Sequence, residues 1–324
     1  KQGEELYVTC VALSDGTNKV LFISVDIVEI NETIYSQFVE YIRKSVDIDE
    51  ENIFITATHN HSSPQLRIFD MDLVRWKRQA AEATAEAAKE AIDDLTRTEE
   101  YIGTAHSKNL AFVRRYLLED GTYRGIISGN KSKAKIVAHE SEADSELQAI
   151  YFAREGEKKN IVMANWQAHA AHAYSEDQNS ISSDFVGYMR AGVEEKYGVL
   201  FAYYQGAAGN INLHSSVKNI TGRYVRVGQA LVDVCGEALS SLRRVELGEI
   251  KVSNQVFKAE VRKDAKGPEK LDAAKKDLQF VENKLNNPGF MAKAPEAVVA
   301  QQREAQAKHQ AKIAMLEESI QKLK

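Results

Sequence analysis

Residues 20–26, VLFISVD, are apolar or small at six successive positions before an acid, a pattern that reads as a buried strand. The adjoining segment narrows the fold. In NETIYSQFVEYIRKSV the apolar residues Ile34, Phe38, Val39 and Ile42 recur at helical spacing, and Asn31 stands where an N-cap belongs. The next run, NIFITAT, is strand-like and leads straight into His59. A strand, helix and strand in this order predict a parallel pair joined by a right-handed crossover, which points to an α/β fold.

The rest of the first 255 residues extends that pattern. A long Ala-rich helix is expected from about 72 to 95. LQAIYFAR and KNIVMANW flank Glu155-Gly156-Glu157 and predict a hairpin. A helix over 185–197, stopped by Gly198, precedes the strand VLFAYY, which ends in QGAAGN. A helix over 222–242 follows, with Leu231, Val234, Ala238 and Leu242 on one face. The expected class is α/β, with mixed sheet layers flanked by helices.

Beyond about residue 252 the composition shifts. Residues 268–324 are rich in Lys, Glu, Gln and Ala, broken only at NNPGF and KAPE. Leu271, Leu278, Val281 and Leu285 mark one apolar face, and Val298, Ile313, Leu316, Ile320 and Leu323 mark another. This predicts a C-terminal helical hairpin, an antiparallel coiled coil. Two domains are therefore expected, 1–255 and 268–324. The net charge of −5 is no nucleic-acid signature, although the chain from Lys251 onward carries 15 Lys/Arg against 10 Asp/Glu. Cys10 and Cys235 form no metal or disulfide framework and read as core thiols. No apolar run is long enough for a membrane span, and no signal peptide is read. Because the chain starts at Lys1, this says little about compartment.

Three strands end in small, polar or histidine-bearing motifs, and ligands of open α/β sheets bind at the carboxyl ends of strands. His59 and His61 are two apart, so a continuing strand would point both to one face, where they suit one metal. His169 and His172 face together only if their segment turns helically. An H-x-H pair alone reads as ordinary histidines before ligands; three such strand ends in one architecture reverse that order. The backbone of QGAAGN, with Gly206 and Asn210, is either a substrate or oxyanion contact or a tight packing loop. Arg114 and Arg115 point opposite ways in an extended segment, so at most one clamps a substrate oxygen. Asp184 reads as an N-cap, and Asp26, at a strand end, reads as a carboxylate bonded to a ligand imidazole.

Taken together, ATHNHSSP, NWQAHA, SSDFVGY and QGAAGNIN resemble, in order and spacing, the N-terminal catalytic domain of the neutral/alkaline ceramidase family. YVTCVALSDGTNKVLFISVDIV is similar to its opening strands and FVRRY to its arginine segment, so the resemblance covers roughly residues 5–255. It implies a zinc-dependent amide hydrolase, in a family often secreted. His59 and His169 would be zinc ligands. His61 would handle a proton beside the metal, and Arg114 would reach toward the substrate's polar head. Asn212 occupies the place of a serine in true ceramidases, and Asn210 that of a family aspartate. The family's other two ligands, a glutamate and a tyrosine, lie C-terminal to the covered region and have no match before Lys324. From about Pro268 the tail, with LNNPGFMAKAPEAVVAQQREAQ, resembles the C-terminal coiled-coil arm of valyl-tRNA synthetases.

The expected function is hydrolysis of a small-molecule or lipid N-acyl substrate by a metal-activated water, with Asn212, Arg114 and the Gly206–Asn210 backbone around the reacting carbonyl. The alternative is a catalytically degenerate binding protein on the same scaffold, its arm contacting a protein, an RNA or a second copy of the chain.

Overall fold

The computed structural model describes residues 4–64, 71–125, 135–255 and 267–321. The chain separates into two compact units, Lys1–Ser253 and Asn254–Lys324.

In the first unit, β1 (Val8–Ser14), β2 (Lys19–Val25) and β3 (Ile53–Ala57) form one sheet in that order. The β2–β3 pair is parallel, with Val25 opposite Ala57, and α1 (Glu32–Ser45) makes the crossover. Asn31 caps α1 as its sequence position predicts, its side chain accepting from the Ile34 N–H at 2.9 Å. The expected face of Ile34, Phe38, Val39 and Ile42 is the buried one. The Ala-rich helix α2 (Met71–Asp93) lies beside α1.

Next come β4 (Thr98–His106), the short β5 (Phe112–Val113), β6 (Arg115–Leu118), β7 (Tyr123–Gly125) and β8 (Ile136–His139). The predicted hairpin is β9 (Glu146–Arg154) and β10 (Ile161–Trp166), an antiparallel pair. A short α3 (His172–Glu176) leads to α4 (Asp184–Tyr197), which ends on Gly198 in the left-handed conformation (φ 65°). Then come β11 (Leu200–Gln205), β12 (Ile211–Asn212), α5 (Tyr224–Ser240) and β13 (Arg243–Val245). The large sheet runs β11-β10-β9-β4-β13; β10–β11 is parallel and the rest antiparallel, so the sheets are mixed as expected.

Alternation along the strands sorts this unit into layers. Leu21, Ile23 and Val25 of β2 pack with Ile34, Phe38, Ala81 and Ala88 of the two helices. The opposite face meets the large sheet through Val11, Phe22, Phe152, Met163 and Ala202. Beyond that sheet, Val162, Ala164, Trp166 and Tyr203 pack on Phe185, Met189 and Leu231 of α4 and α5. The order is helices, small sheet, large sheet, helices. Trp166, Phe185 and Tyr203 are fully buried and meet edge-on, each ring contributing about 1.5–3 kcal/mol through burial alone. Burial pushes both thiols, Cys10 and Cys235, up to about 12. Among the described residues no helix is long and apolar enough to cross a membrane.

The second unit contains α6 (Gly267–Leu285), α7 (Pro288–Lys293) and α8 (Glu296–Gln321). Asn287 caps α7 through the N–H groups of Gly289 and Phe290. Ala274 and Val281 are buried, and α6 meets α8 through a Lys275–Glu317 ion pair (2.7 Å) and a Gln306–Glu282 hydrogen bond (3.2 Å).

Candidate metal centre

The β3 ladder ends at Ala57, yet its register persists: the N–H groups of Thr58 and Asn60 donate to Val25 and Ile27 of the neighbouring strand end (3.0 and 3.1 Å). Between them His59 takes a left-handed conformation (φ 59°), a backbone state rare outside glycine and held only where surroundings over-determine it. The strand does not continue through His59, so the condition for alternation to pair the two rings is not met, and a sharp turn brings them together instead. The holding residue is Asn60, unpredicted and fully buried; its amide donates to the Ser182 carbonyl (2.6 Å) and accepts from the Ser62 N–H (2.9 Å).

His169 arrives from the other sheet, three residues past the end of β10. Its N–H donates to the Ile211 carbonyl (3.2 Å), and the His61 N–H donates to Ala170 (2.9 Å), so the two histidine loops are tied directly. The three rings converge. His59 Nε2 lies 3.1 Å from His169 Nε2 and 3.3 Å from His61 Nε2, and all three rings are half-buried.

Proton placement gives these distances a meaning. His59 Nδ1 lies 2.7 Å from the Val28 carbonyl and His169 Nδ1 3.2 Å from that of Ala208; a carbonyl only accepts, so both Nδ1 atoms carry the proton. In the neutral rings both Nε2 atoms are then bare, and two lone pairs face each other across 3.1 Å. Burial, the largest influence on His169, lowers its pKa to about 4 and keeps that ring neutral at physiological pH. Facing lone pairs repel unless a cation lies between them. Nitrogens 2.0–2.1 Å from a tetrahedral ion are about 3.3 Å apart, which is the spacing seen here. The Nδ1–H bonds to carbonyls are also the outer contacts that orient metal-binding imidazoles.

The neighbouring candidates divide. Arg114 is held at the site's edge, its Nη2 donating to Gly209 and its N–H to Asn210 (both 2.7 Å), while Arg115 turns outward to Glu140. Asn212, on β12, follows the Ile211 carbonyl that anchors His169. The Asn210 side chain is exposed, and its carbonyl serves Arg114. The Gly206 N–H donates to Trp166 (2.8 Å), and an added Cβ would lie 2.9 Å from Gln167 Cβ, so this glycine serves close packing rather than offering a spare donor. Asp26 does not reach an imidazole: it pairs with buried Arg190 at 3.0 Å and accepts from the Tyr7 N–H. Asp184 accepts from its neighbour Phe185, but its second oxygen takes the N–H groups of His172 and Ala173, capping α3 (2.8 and 2.7 Å). Burial raises the Asp184 carboxyl above the usual carboxylate range, against the pull of those N–H bonds.

Comparison with known proteins agrees with this architecture. The family model for "Neutral/alkaline non-lysosomal ceramidase, N-terminal" matches residues 6–208. The chain belongs to this ceramidase family. The match includes all three clustered histidines and Arg114, and stops short of Asn210 and Asn212. Two solved ceramidases share the fold at 14% identity: one described as "Ceramidase complexed with C2" (TM-score 0.56) and the neutral ceramidase from Pseudomonas aeruginosa (TM-score 0.54). Each similarity covers 76% of this chain and 44% of the ceramidase structure, so the chain spans less than half the length of those proteins. No curated protein matches. At the other end of this ceramidase-family chain, residues 258–324 match the "Valyl tRNA synthetase tRNA binding arm".

Proposed function

We propose that the chain is a zinc-dependent hydrolase that cleaves the amide bond of an N-acyl substrate, a lipid or a smaller amide. The observation that carries the reading is the pair of bare Nε2 atoms of His59 and His169, 3.1 Å apart and aimed at one point, with His61 Nε2 beside them. His59 and His169 would hold the ion. Zinc, when bound, supplies a Lewis acid that polarises a carbonyl and eases deprotonation of water. His61 would take or return a proton within the cluster. Arg114, steadied by Gly209, offers its remaining N–H donors to the developing negative charge. Asn212 carries no hydroxyl, so it acts as a donor rather than a nucleophile.

We further infer that residues 1–255 form the hydrolase domain and 268–324 an antiparallel helical hairpin with coiled-coil packing. Support comes from the α6–α8 pairs, in which the higher position on one helix meets the lower on the other: Lys275 with Glu317, Glu282 with Gln306. The arm match favours a second reading, a binding protein whose site has degenerated and whose arm contacts RNA or a protein, or joins two copies of the chain. Residues 267–321 carry eight Lys/Arg and eight Asp/Glu, so the helices themselves offer no excess positive charge.

One experiment separates the two readings. Zinc analysis of the wild type, His59→Ala and His169→Ala should show bound metal lost in both variants, with loss of amidase activity. Undiminished zinc in both variants removes the hydrolase proposal. Absence of zinc and amidase activity in the wild type, with salt-dependent tRNA binding, selects the second.

A further inference from the structure

We infer that His172 is a positioning residue that locks the Asn212 side-chain amide so that its NH2 group is presented as a donor to the substrate carbonyl. The role at the carbonyl rests on the hydrolase reading; the lock itself does not.

The orientation of the amide comes from its partners. The Leu213 N–H donates to Asn212 Oδ1 at 2.8 Å, which identifies that atom as the oxygen. His172 Nε2 bonds the same oxygen, so Nε2 carries the proton and donates. With Oδ1 held by two donors the amide plane is fixed, and among the described residues its Nδ2 has no partner. Asn212 stands next to the residue whose carbonyl anchors His169, and it pairs across β12–β5 with Phe112, two positions before Arg114. The NH2 group thus belongs to the short strand that links the candidate ligand to the candidate arginine.

His172 is itself held. Its backbone N–H and that of Ala173 both donate to Asp184 Oδ2, fixing the start of α3 from which the imidazole projects. Asp184 is fully buried and adopts a left-handed backbone (φ 55°), a costly state for a residue other than glycine. A buried aspartate thus fixes the backbone that carries His172, and the His172 ring holds the Asn212 amide. An amide nitrogen is too weak a nucleophile to attack a carbonyl, but one oriented N–H of the fixed NH2 group can donate to the oxygen on which charge grows. Removing one such donor elsewhere costs about 10²–10³ in kcat.

The test uses the full chain loaded with zinc, an N-acyl p-nitroanilide as probe, and four variants: Asn212→Ala, His172→Leu, His172→Gln and the double His172→Leu/Asn212→Ala. Expected results are a kcat for His172→Leu about 10–100-fold below wild type with little change in KM, and a double variant no worse than Asn212→Ala. His172→Gln, whose amide still donates, should recover most of the loss. Unchanged kcat in His172→Leu, no recovery in His172→Gln, or independent losses that multiply in the double variant would each overturn the inference. A second readout needs no turnover. The ¹⁵N spectrum should show His172 protonated at Nε2, with that proton slow to exchange in the wild type and fast in Asn212→Ala. A ring protonated at Nδ1 overturns the lock. A chain inert toward the probe but showing the slow Nε2 proton retains the lock and sinks the hydrolysis reading alone.

Discussion

The two loops that bring His59 and His169 together do the same job by different means. The His59 loop is strained and charged underneath: a left-handed histidine, a fully buried asparagine amide, and the buried Asp26–Arg190 pair at the end of β2. The His169 loop itself contains no left-handed residue. The end of β10 is fixed by Trp166, whose indole donates to Ser107 (3.0 Å) and whose carbonyl receives the Tyr203 hydroxyl (2.7 Å). One side of the centre is over-determined polar structure and the other is aromatic packing. The contrast teaches that convergence of two imidazoles does not require two similar supports.

The comparison is broken most severely at the imidazoles themselves. His59→Ala and His169→Ala should each weaken zinc binding by more than the 10–100-fold typical of losing an outer contact, read by competition with a chelating dye. Equal losses would show that the two supports deliver equivalent ligands; a loss confined to one would make that loop the primary anchor. Next in size is the contrast underneath. Arg190→Met leaves Asp26 charged and unpaired, and should destabilise the protein by about 3–5 kcal/mol in urea unfolding. Trp166→Phe gives up one neutral hydrogen bond and should cost about 1–3 kcal/mol. A reversed order would refute the view that the buried ion pair is the costlier support to break.

The backbone difference is smaller and opposite in sign at the two positions. At the left-handed position 59 a glycine is tolerated better than alanine, so His59→Gly should be about 1 kcal/mol more stable than His59→Ala. At position 169 alanine should be the better of the two by a similar amount. The smallest effect is a titration. In metal-free protein the His169 resonance should shift near pH 4 rather than 6.5, because burial disfavours the charged ring. Its folded pKa lies below the unfolded value, so between about pH 6.5 and 4 only the unfolded chain takes the proton, and stability falls as pH falls through that window. A midpoint near 6.5 would show the ring to be as hydrated as a free imidazole.

The features legible in the sequence are those that local chemistry decides. Asn31, Gly198 and the apolar face of α1 announce themselves within a few residues, and the parallel β2–β3 pair is implied by the order of elements. That His59 and His169 belong together was legible only through the strand-end pattern and the family resemblance, because 110 residues separate them. The rest depended on partners from distant segments. Asp26 looked free to face a crevice until Arg190, 164 residues away, claimed it. Asp184 looked like the cap of its own helix, yet most of its bonding serves α3. His172 was weighed only as a helical neighbour of His169; its bond to Asn212 spans 40 residues and has no signature in either stretch. The turn at His59 was missed because strand propensity describes average backbones, and this one is held out of its average by Asn60.

The two sulfur atoms have a practical consequence. Cys10 and Cys235 are held in the thiol form up to about pH 12, so near neutrality almost none of either is the thiolate that alkylating reagents attack. A cysteine engineered onto an exposed position, such as Ile181, would then be by far the faster of the three to react. A fluorophore could be placed there on the otherwise native chain, without first removing sulfur from the interior.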